Sequence, residues 1–293
     1  QLLAAAVGRP WQDWKLVSAH GRACDPVAEV LAHPQVFFLT GGGDTPATLC
    51  AKLTAAGLGA AHALVGENLG TPAEAIRFGL ARELAEQSFA PLSVLLIERE
   101  ALPSRRTPGL PDDAFIRGAV PMTKQEVRAA ALAKLAVTPK DTLWDVGAGT
   151  GSVSVELALA APAGQVYAVE CDPEACALIQ QNREKFAAYN LTLIEGKAPD
   201  ALDALPAPDA VFIGGTKGNM DAVIDAVLHK NPVARLCITA IALETLSAAV
   251  AALTAHGLSA EVTQIAVSRT KTAGSLHLLM ANNPVFLITG ART

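Results

Sequence analysis

Charged and aromatic side chains are both scarce in this chain of 293 residues. Charged residues make up 17% of the sequence and aromatic residues 4%, whereas hydrophobic residues reach 51%. So low a charge content excludes a disordered polyelectrolyte. A formal net charge of -5 with so few aromatics argues against a nucleic-acid-binding surface. The composition therefore indicates a compact α/β protein of about two domains.

Paired cysteines, a secretory signal and a long uninterrupted apolar run are also lacking. The five cysteines are an odd number and include no C-x-x-C pair, which favours reduced thiols in the cytoplasm. The longest nearly uncharged stretch, residues 238–255, contains Glu244, which favours a buried strand and helix over a membrane span. No His, Cys, Asp or Glu grouping has metal-site spacing. We therefore expect a cytoplasmic protein with no bound metal, although the chain starts at Gln1 rather than Met.

A stretch rich in Pro, Gly and charge divides the chain into two α/β parts. We assign residues 1–102 to the first part, 103–115 to a linker and 116–293 to the second part. In the first part, β-like runs alternate with helical stretches, which predicts a mostly parallel sheet. These runs cover residues 15–19, 36–40, 61–66 and 92–98. Asp25-Pro26 and Thr71-Pro72 are each typical of a helix start, and Glu74 would complete a capping box with Thr71.

The second part has the pattern of a doubly wound sheet. Thr123 and Glu126 form a second predicted capping box, ahead of a helix that reaches about Ala136. Five apolar runs follow, each with a helical stretch after it, which predicts successive βα units. They cover residues 142–146, 165–169, 191–195, 210–213 and 235–240. The tail has β-like runs without an intervening helix, so we expect an antiparallel hairpin at the end of the sheet.

A glycine-rich turn after the first of these runs is the most informative motif. Asp145-Val146-Gly147-Ala148-Gly149-Thr150-Gly151 leads into a helix, so that closely approaching backbone and helix amides would face a nucleotide-like ligand. Glu170, at the end of the next run, could accept hydrogen bonds from both ribose hydroxyls. The G-x-G-x-G spacing favours S-adenosylmethionine over NAD. Asp145 resembles the acid that such methyltransferases hold near the amino-acid end of the cofactor, or it braces the loop amides.

The order of several further segments carries a family resemblance. They are Val120-Pro121-Met122-Thr123-Lys124-Gln125-Glu126-Val127-Arg128, Glu195-Gly196-Lys197-Ala198-Pro199, Phe212-Ile213-Gly214-Gly215 and Ala242-Leu243-Glu244-Thr245. With the glycine loop, this part resembles the decarboxylating domain of the precorrin-6Y methyltransferase family from about Asp113 to Gly290. It departs from that family at Lys197, at residues 216–219 and at residues 239–241, and we expect these departures to affect the substrate-facing details and to leave the cofactor site intact.

The first part resembles the tetrapyrrole-methylase module that precedes this domain in the same family. The resemblance is carried by Val17-Ser18-Ala19-His20-Gly21-Arg22, Thr45-Pro46-Ala47 and Gly66-Glu67-Asn68-Leu69-Gly70-Thr71-Pro72. Members of that family have a further N-terminal lobe with a glycine-rich cofactor loop. We therefore expect residues 1–102 to be the second half of a larger domain, and not to be competent alone.

The resemblance implies methylation of a precorrin by S-adenosylmethionine, with loss of carbon dioxide from an acetate side chain, in cobalamin biosynthesis. It implies a cofactor site lined by Thr123, Gly147, Ala148, Gly149, Thr150, Gly151, Glu170 and Ala198. Thr123 has an alternative role as a helix N-cap. Relatives of the second part also suggest a homo-oligomer formed through it.

A polycarboxylate tetrapyrrole substrate requires cationic side chains. The candidates lie in the linker or near predicted strand ends, and each could instead be a solvated surface charge. They are Arg105, Arg106, Arg117, Lys124, Lys217, Arg269 and Lys271. In the first part, His20 either faces substrate or satisfies the backbone of its own turn.

Three other functions stay open from the sequence. The chain could be a methyltransferase acting on RNA or protein, which predicts a basic face or an aromatic pocket. It could be a noncatalytic scaffold that keeps the pocket, in which case it would not bind S-adenosylmethionine. A dehydrogenase is disfavoured by the loop spacing.

Overall fold

The computed structural model describes residues 1–21, 24–99 and 107–292. The chain divides into two compact units, Gln1–Pro103 and Ser104–Thr293. Of the predicted linker, residues 103–106 lie outside the described residues, and with them the candidate cations Arg105 and Arg106. Residues 107–115, also assigned to the linker, lie in the second unit.

The first unit contains a mixed sheet with helices between its strands. Its elements are α1 (Leu2–Val7), β1 (Lys15–Ser18), α2 (Pro26–Ala32), β2 (Gln35–Leu39), α3 (Pro46–Ala55), β3 (His62–Glu67), β4 (Ala75–Leu80), α4 (Ala81–Leu84) and β5 (Ser93–Glu98). Among the described residues the strand order is β1-β2-β5-β3-β4. Only β1 and β2 pair in parallel there, while β5 runs antiparallel to both β2 and β3, and β4 antiparallel to β3. The prediction of a mostly parallel sheet is therefore wrong.

The misread element is β4, where a helix was predicted after Thr71-Pro72. The side chain of Asp25 does cap α2 as predicted, accepting from the backbone N–H groups of Val27 and Ala28. At Thr71, however, the side chains close a turn, because Thr71 accepts from the Ala73 N–H and Glu74 from the Gly70 N–H at 2.6 Å. The short connection from β3 then forms a hairpin, because a parallel crossover needs a dozen or more residues.

The second unit is a doubly wound sheet, as predicted. Its elements are α5 (Gln125–Leu135), β6 (Thr142–Val146), α6 (Ser152–Ala160), β7 (Gln165–Glu170), α7 (Pro173–Lys185), β8 (Leu191–Glu195), β9 (Ala210–Ile213), α8 (Met220–Lys230), β10 (Arg235–Ala240), α9 (Leu243–Ala255), β11 (Leu258–Ile265), β12 (Ser268–Ala273), β13 (Leu276–Ala281) and β14 (Val285–Arg292). In the described part of the chain the strand order is β11-β14-β10-β9-β6-β7-β8. Strands β6 to β10 are parallel to their neighbours among themselves. The βα pattern fails after β8, where a short 3-10 helix, Asp200–Leu202, replaces an α-helix.

The tail forms two structures rather than one terminal hairpin. Strand β14 inserts between β10 and β11 and runs antiparallel to both. Its central Leu287 and Ile288 are buried. Strands β12 and β13 pair only with each other within the described residues, as a two-stranded hairpin (residues 268–281). Because β11 ends and β14 starts at the edge where the parallel strands finish, the hairpin extends from that edge.

The start of α5 differs from the predicted capping box. Lys124 occupies the N-cap position of α5 and makes no side-chain cap bond. The Gln125 N–H instead donates to Asp112 Oδ1 at 2.9 Å. A carboxylate distant in sequence thus takes the role assigned to Thr123, since tertiary contact brings it to the helix terminus.

A buried ion pair fixes the segment that leads into α5, residues 107–124, hereafter the connecting segment. Arg128 on α5 and Glu156 on α6 are both fully buried and joined at 2.7 Å. Glu156 also accepts from the N–H groups of Gly109 and Leu110. Arg128 donates to Asp112 Oδ1 at 2.8 Å and to the Leu110 carbonyl. The charges are therefore matched by hydrogen bonds, the condition under which a buried pair is tolerated.

A buried asparagine joins the same segment to the glycine loop. Asn182 on α7 accepts from the Ile116 N–H at 2.8 Å and donates to the Ile116 carbonyl at 3.0 Å. Its amide also donates to the Thr150 carbonyl at 2.9 Å. The connecting segment, α7 and the glycine loop are thus held by one fully buried side chain.

Replacing Arg128 with Ala should destabilise the second unit by about 3–5 kcal/mol, because it leaves the buried Glu156 carboxylate without its cation. Equilibrium urea denaturation measures this. Lys134→Ala is the matched control on α5, since it removes only an exposed ion pair with Glu261 and should cost less than about 1 kcal/mol. Equal effects of the two substitutions would contradict the assigned role of Arg128.

Candidate cofactor site

A pocket lies where four neighbouring parallel strands end. Its lining comes from residues at or just after the ends of β6, β7, β8 and β9, which are adjacent in the sheet. They are Val146, Gly147, Val169, Glu170, Cys171, Gly196, Lys197, Ala198, Gly215, Thr216 and Lys217. Ligands of open α/β sheets bind at this edge, beyond the carboxyl ends of the strands.

The glycine loop adopts the sharp turn that its sequence predicts. Gly147, Gly149 and Gly151 all have positive φ, at 72°, 56° and 74°, which disfavours any residue with a Cβ. A Cβ at Gly147 would overlap the Gly215 carbonyl oxygen, and one at Gly151 would lie 2.9 Å from the Ile179 side chain. The loop therefore packs against the end of β9 on one side and α7 on the other.

Glu170 lines the pocket and also braces the loop. One carboxylate oxygen accepts from the Gly149 N–H at 2.9 Å, and the other from the N–H groups of Cys171 at 2.7 Å and Asp172 at 3.0 Å. Each carboxylate oxygen has further acceptor capacity. Glu170 can therefore accept from a ligand hydroxyl while holding the loop in place.

Asp145 lies beneath the loop and is fully buried, outside the pocket lining. One of its oxygens accepts from the Ser154 hydroxyl on α6, and the other has no partner in the described structure. Burial raises the pKa of Asp145 to about 7, and the nearby Glu170 carboxylate adds to the shift. None of its hydrogen bonds goes to a loop amide, so the bracing role suggested for Asp145 belongs to Glu170.

The remaining predicted cofactor residues fall into two groups. Gly147, Glu170 and Ala198 line the pocket, whereas Thr123, Ala148, Gly149, Thr150 and Gly151 lie outside its lining. Gly149 and Thr150 are nevertheless held in the loop, by Glu170 and Asn182. Thr123 contributes its carbonyl to Arg128.

Several lining residues were not predicted as cofactor contacts. Val169 and Cys171 flank Glu170, and Gly196, Lys197, Gly215 and Thr216 follow β8 and β9. Their position in the sequence could have indicated them, because residues just after parallel strands reach this edge of the sheet. Lys217, predicted as a substrate cation, also lies in the pocket wall and donates to Cys171 Sγ at 3.2 Å. That hydrogen bond raises the pKa of Lys217.

The other candidate cations have different surroundings. Arg117, Lys124 and Lys271 are exposed. Arg269 is not free, because its guanidinium bonds to Asp112 at 2.8 Å and to both carboxylate oxygens of Glu126 at 3.1 and 2.6 Å. In the first unit, the His20 ring packs against Gly41, where an added Cβ would clash with its Nδ1 atom.

A family model described as the precorrin methyltransferase domain matches residues 113–291. Among curated proteins, the chain is 44% identical over 180 residues to the cobalt-precorrin-6B C(15)-methyltransferase (decarboxylating) of Salmonella typhimurium, covering 60% of this chain and 93% of that protein. It is 39% identical over 233 residues to a precorrin-6Y C(5,15)-methyltransferase (decarboxylating) of Sinorhizobium, covering 78% of this chain. The match spans only 56% of that relative.

Solved structures give the same result. A crystal structure of precorrin-6Y C5,15-methyltransferase from Geobacter metallireducens superposes with a TM-score of 0.60 at 40% identity. The match covers 63% of this chain and 96% of that structure.

Within the described part of the chain, none of the helices combines the length and the apolar character that a membrane span requires.

The ionisation of Asp145 predicts a pH dependence of stability. Its pKa is near 3.9 in an unfolded chain and about 7 when folded. The folded state therefore holds the proton more tightly, so this residue lowers stability progressively as pH rises from about 4 to about 7.

Asp145→Asn should remove this component, on the order of a few kcal/mol at pH 8. Urea denaturation of both proteins from pH 4 to 8 measures it, with Asp203→Asn as an exposed control. Parallel pH profiles for the Asp145→Asn variant and the unmodified protein would contradict the assignment.

Proposed function

The chain belongs to the family of the precorrin methyltransferase domain, and we propose that its second unit methylates a carbon of a precorrin with S-adenosylmethionine and decarboxylates an acetate side chain. The observation that supports this most is the pocket formed by the glycine loop and Glu170, inside the region that the family model matches. The precorrin substrate is taken from the names of the relatives, and the cobalamin pathway is what the family resemblance implies.

The residues present fit the adenosine part of S-adenosylmethionine. Glu170 and Ala198 both line the pocket, and we assign the Glu170 carboxylate to the ribose hydroxyls and the Ala198 backbone to the adenine, as the family resemblance implies. At Gly147 a side chain would clash with the Gly215 backbone, so the missing Cβ lets the loop pack against the end of β9 beside the pocket. The cavity measures about 160 Å³. Pockets that surround drug-sized molecules measure roughly 300–1,000 Å³, so this cavity has room for only part of S-adenosylmethionine.

When bound, S-adenosylmethionine supplies an electrophilic methyl group and a good leaving group. The protein then has to align the ring carbon with that methyl group, and a dedicated base is not required. In the decarboxylation, the bond between the methylene and carboxylate carbons breaks, its electron pair enters the conjugated macrocycle, and the side chain ends as a methyl group after protonation. The contribution proposed for this chain is orientation and exclusion of water.

Cationic side chains would bind the substrate carboxylates. Lys217 lies in the pocket wall, Lys124 at the start of α5 and Arg117 on the connecting segment. Lys271 lies on the hairpin, which extends from the same edge of the sheet. We therefore assign Arg117, Lys124, Lys217 and Lys271 to the substrate side.

The first unit is proposed to be part of a tetrapyrrole-methylase module, with His20 near its site. The Sinorhizobium match covers 78% of this chain, which is more than the second unit alone contains, so the similarity reaches into the first unit. All five cysteines are free. Free thiols are usual in cytosolic proteins, which supports the proposal of a cytoplasmic enzyme.

A methyltransferase acting on RNA or protein, a dehydrogenase and a scaffold gain no support from the family match.

We further propose a homo-oligomer formed through the hairpin. Leu279 is 74% exposed there and lies on the face of the hairpin opposite to Arg269 and Lys271. Because an isolated two-stranded hairpin is marginally stable in water, a second copy packed on this surface would stabilise it.

Calorimetric titration of the purified chain with S-adenosylmethionine tests the cofactor assignment. We expect micromolar affinity, and Glu170→Ala should weaken it by about tenfold or more, since charge-assisted hydrogen bonds are lost. Glu184→Ala, an exposed acid on α7, is the control and should bind normally.

Incubation with precorrin-6Y or cobalt-precorrin-6B and S-adenosylmethionine should then yield a methylated product and carbon dioxide, detected by mass spectrometry. A folded chain that does not bind S-adenosylmethionine would refute the proposal and favour the scaffold.

Analytical ultracentrifugation tests the oligomer. Leu279→Asp should dissociate the assembly, because a charge would be buried at the contact. Val233→Asp, at another apolar position that is 73% exposed, should leave it intact. A monomeric unmodified protein would disprove this proposal.

A further inference from the structure

Arg269 lies at the centre of a charge cluster that joins the hairpin to the start of α5. Its guanidinium donates to Asp112 Oδ2 at 2.8 Å and forms a bidentate contact with Glu126, in the first turn of α5. Asp112 in turn accepts from the buried Arg128. The cluster therefore links the hairpin to the connecting segment and, through Arg128, to Glu156 on α6.

The contact favours the charged form of both partners. Hydrogen bonding to Arg269 lowers the pKa of Glu126, and hydrogen bonds to Glu126 and Asp112 raise the pKa of Arg269. Burial alone would raise the pKa of Asp112, but the bonds from Arg128 and Arg269 outweigh it and lower that pKa. All three groups are thus charged at neutral pH. Bidentate contacts between a guanidinium and a carboxylate fix the relative orientation of the two side chains better than a point charge such as an ammonium does.

The Arg269 side chain links the hairpin to α5 and to the connecting segment. Among the described residues, no other side chain of the hairpin forms a hydrogen bond or ion pair. Most hairpin side chains are exposed, so packing adds little to its orientation. Arg269 lies near the base of the hairpin, paired with Met280, and fastens that base to α5.

The face that Arg269 occupies also carries a candidate substrate cation. Alternate residues of a strand share a face, so Lys271 lies on the same face as Arg269, two residues nearer the tip. Cross-strand partners share it too, which places Leu278 and Met280 beside these cations. Lys124 precedes the helical turn that holds Glu126. Apolar surface flanked by cations suits a flat macrocycle with carboxylates at its rim.

We infer that Arg269 is a positioning residue that sets the hairpin against α5, so that Lys271 and Lys124 can act together on the carboxylates of the substrate. This inference rests on the proposed function. The alternative, a direct contact between Arg269 and a substrate carboxylate, would require the guanidinium to leave two carboxylates that already neutralise it.

A double-mutant cycle with Arg269→Ala and Glu126→Gln separates the two roles. A positioning role predicts that each single substitution lowers kcat/KM for cobalt-precorrin-6B, mainly through KM and by about tenfold for Arg269→Ala, because misplaced groups lose alignment. The double variant should be no worse than Arg269→Ala, since both changes break one contact. Arg269→Lys should recover part of the loss. The Kd for S-adenosylmethionine should stay unchanged, and Lys140→Ala, at an exposed turn before β6, is the control.

Two outcomes would overturn the inference. If Glu126→Gln leaves kcat/KM unchanged or raises it while Arg269→Ala lowers it, Arg269 contacts the substrate directly. If both variants lower the unfolding midpoint but leave KM unchanged, the cluster is only structural.

Amide hydrogen exchange of residues 268–281, measured without substrate, tests the hairpin independently of turnover. Faster exchange in both single variants is expected, and unchanged exchange would contradict the inference. An unmodified protein that binds S-adenosylmethionine but does not turn over precorrin would count against the proposed function, and the exchange result would still decide whether Arg269 fastens the hairpin.

Discussion

The buried contact between Arg128 and Glu156 joins α5, α6 and the connecting segment of the second unit. Both groups lose their hydration completely, so every remaining donor and acceptor around them has to be satisfied by protein. Glu156 meets this need with amides of the connecting segment, and Arg128 with Asp112 and backbone carbonyls. The pair therefore fixes the connecting segment at Gly109, Leu110 and Asp112, and Asn182 fixes it at Ile116.

The pocket depends on a second set of backbone contacts. Each of the three loop glycines has a conformation that a side chain would disfavour, and the carboxylate of Glu170 holds the turn from the neighbouring strand. Asn182 fixes the other side of the loop. The loop is therefore held by contacts within the protein itself, and such contacts reduce the ordering that ligand binding requires. Such preorganisation suits a reaction in which alignment is the main contribution of the protein.

The second unit was easier to predict than the first because its signals are local. Each parallel strand is a short apolar run, and the bounds of β6, β8, β9 and β10 agree with the predicted ones. In the first unit, Thr71 and Glu74 have the residue types of a capping box but serve a turn instead. The same hydrogen-bonding groups suit either structure, and the pairing of β4 with β3 decides between them. A similar ambiguity explains Thr123, whose predicted capping role passes to Asp112.

The fold class, the glycine loop and the family follow from the sequence alone, since glycine spacing, apolar runs and motif order are local properties of the sequence. The roles of individual charges do not. Arg269 and Lys271 look alike in sequence, but folding brings Glu126 and Asp112 to the first and leaves the second exposed. Asp145 and Glu170 are both acids at strand ends, and burial raises the pKa of one while the other braces the loop. Charge energetics depend on distance and hydration, and both are set when remote segments pack together.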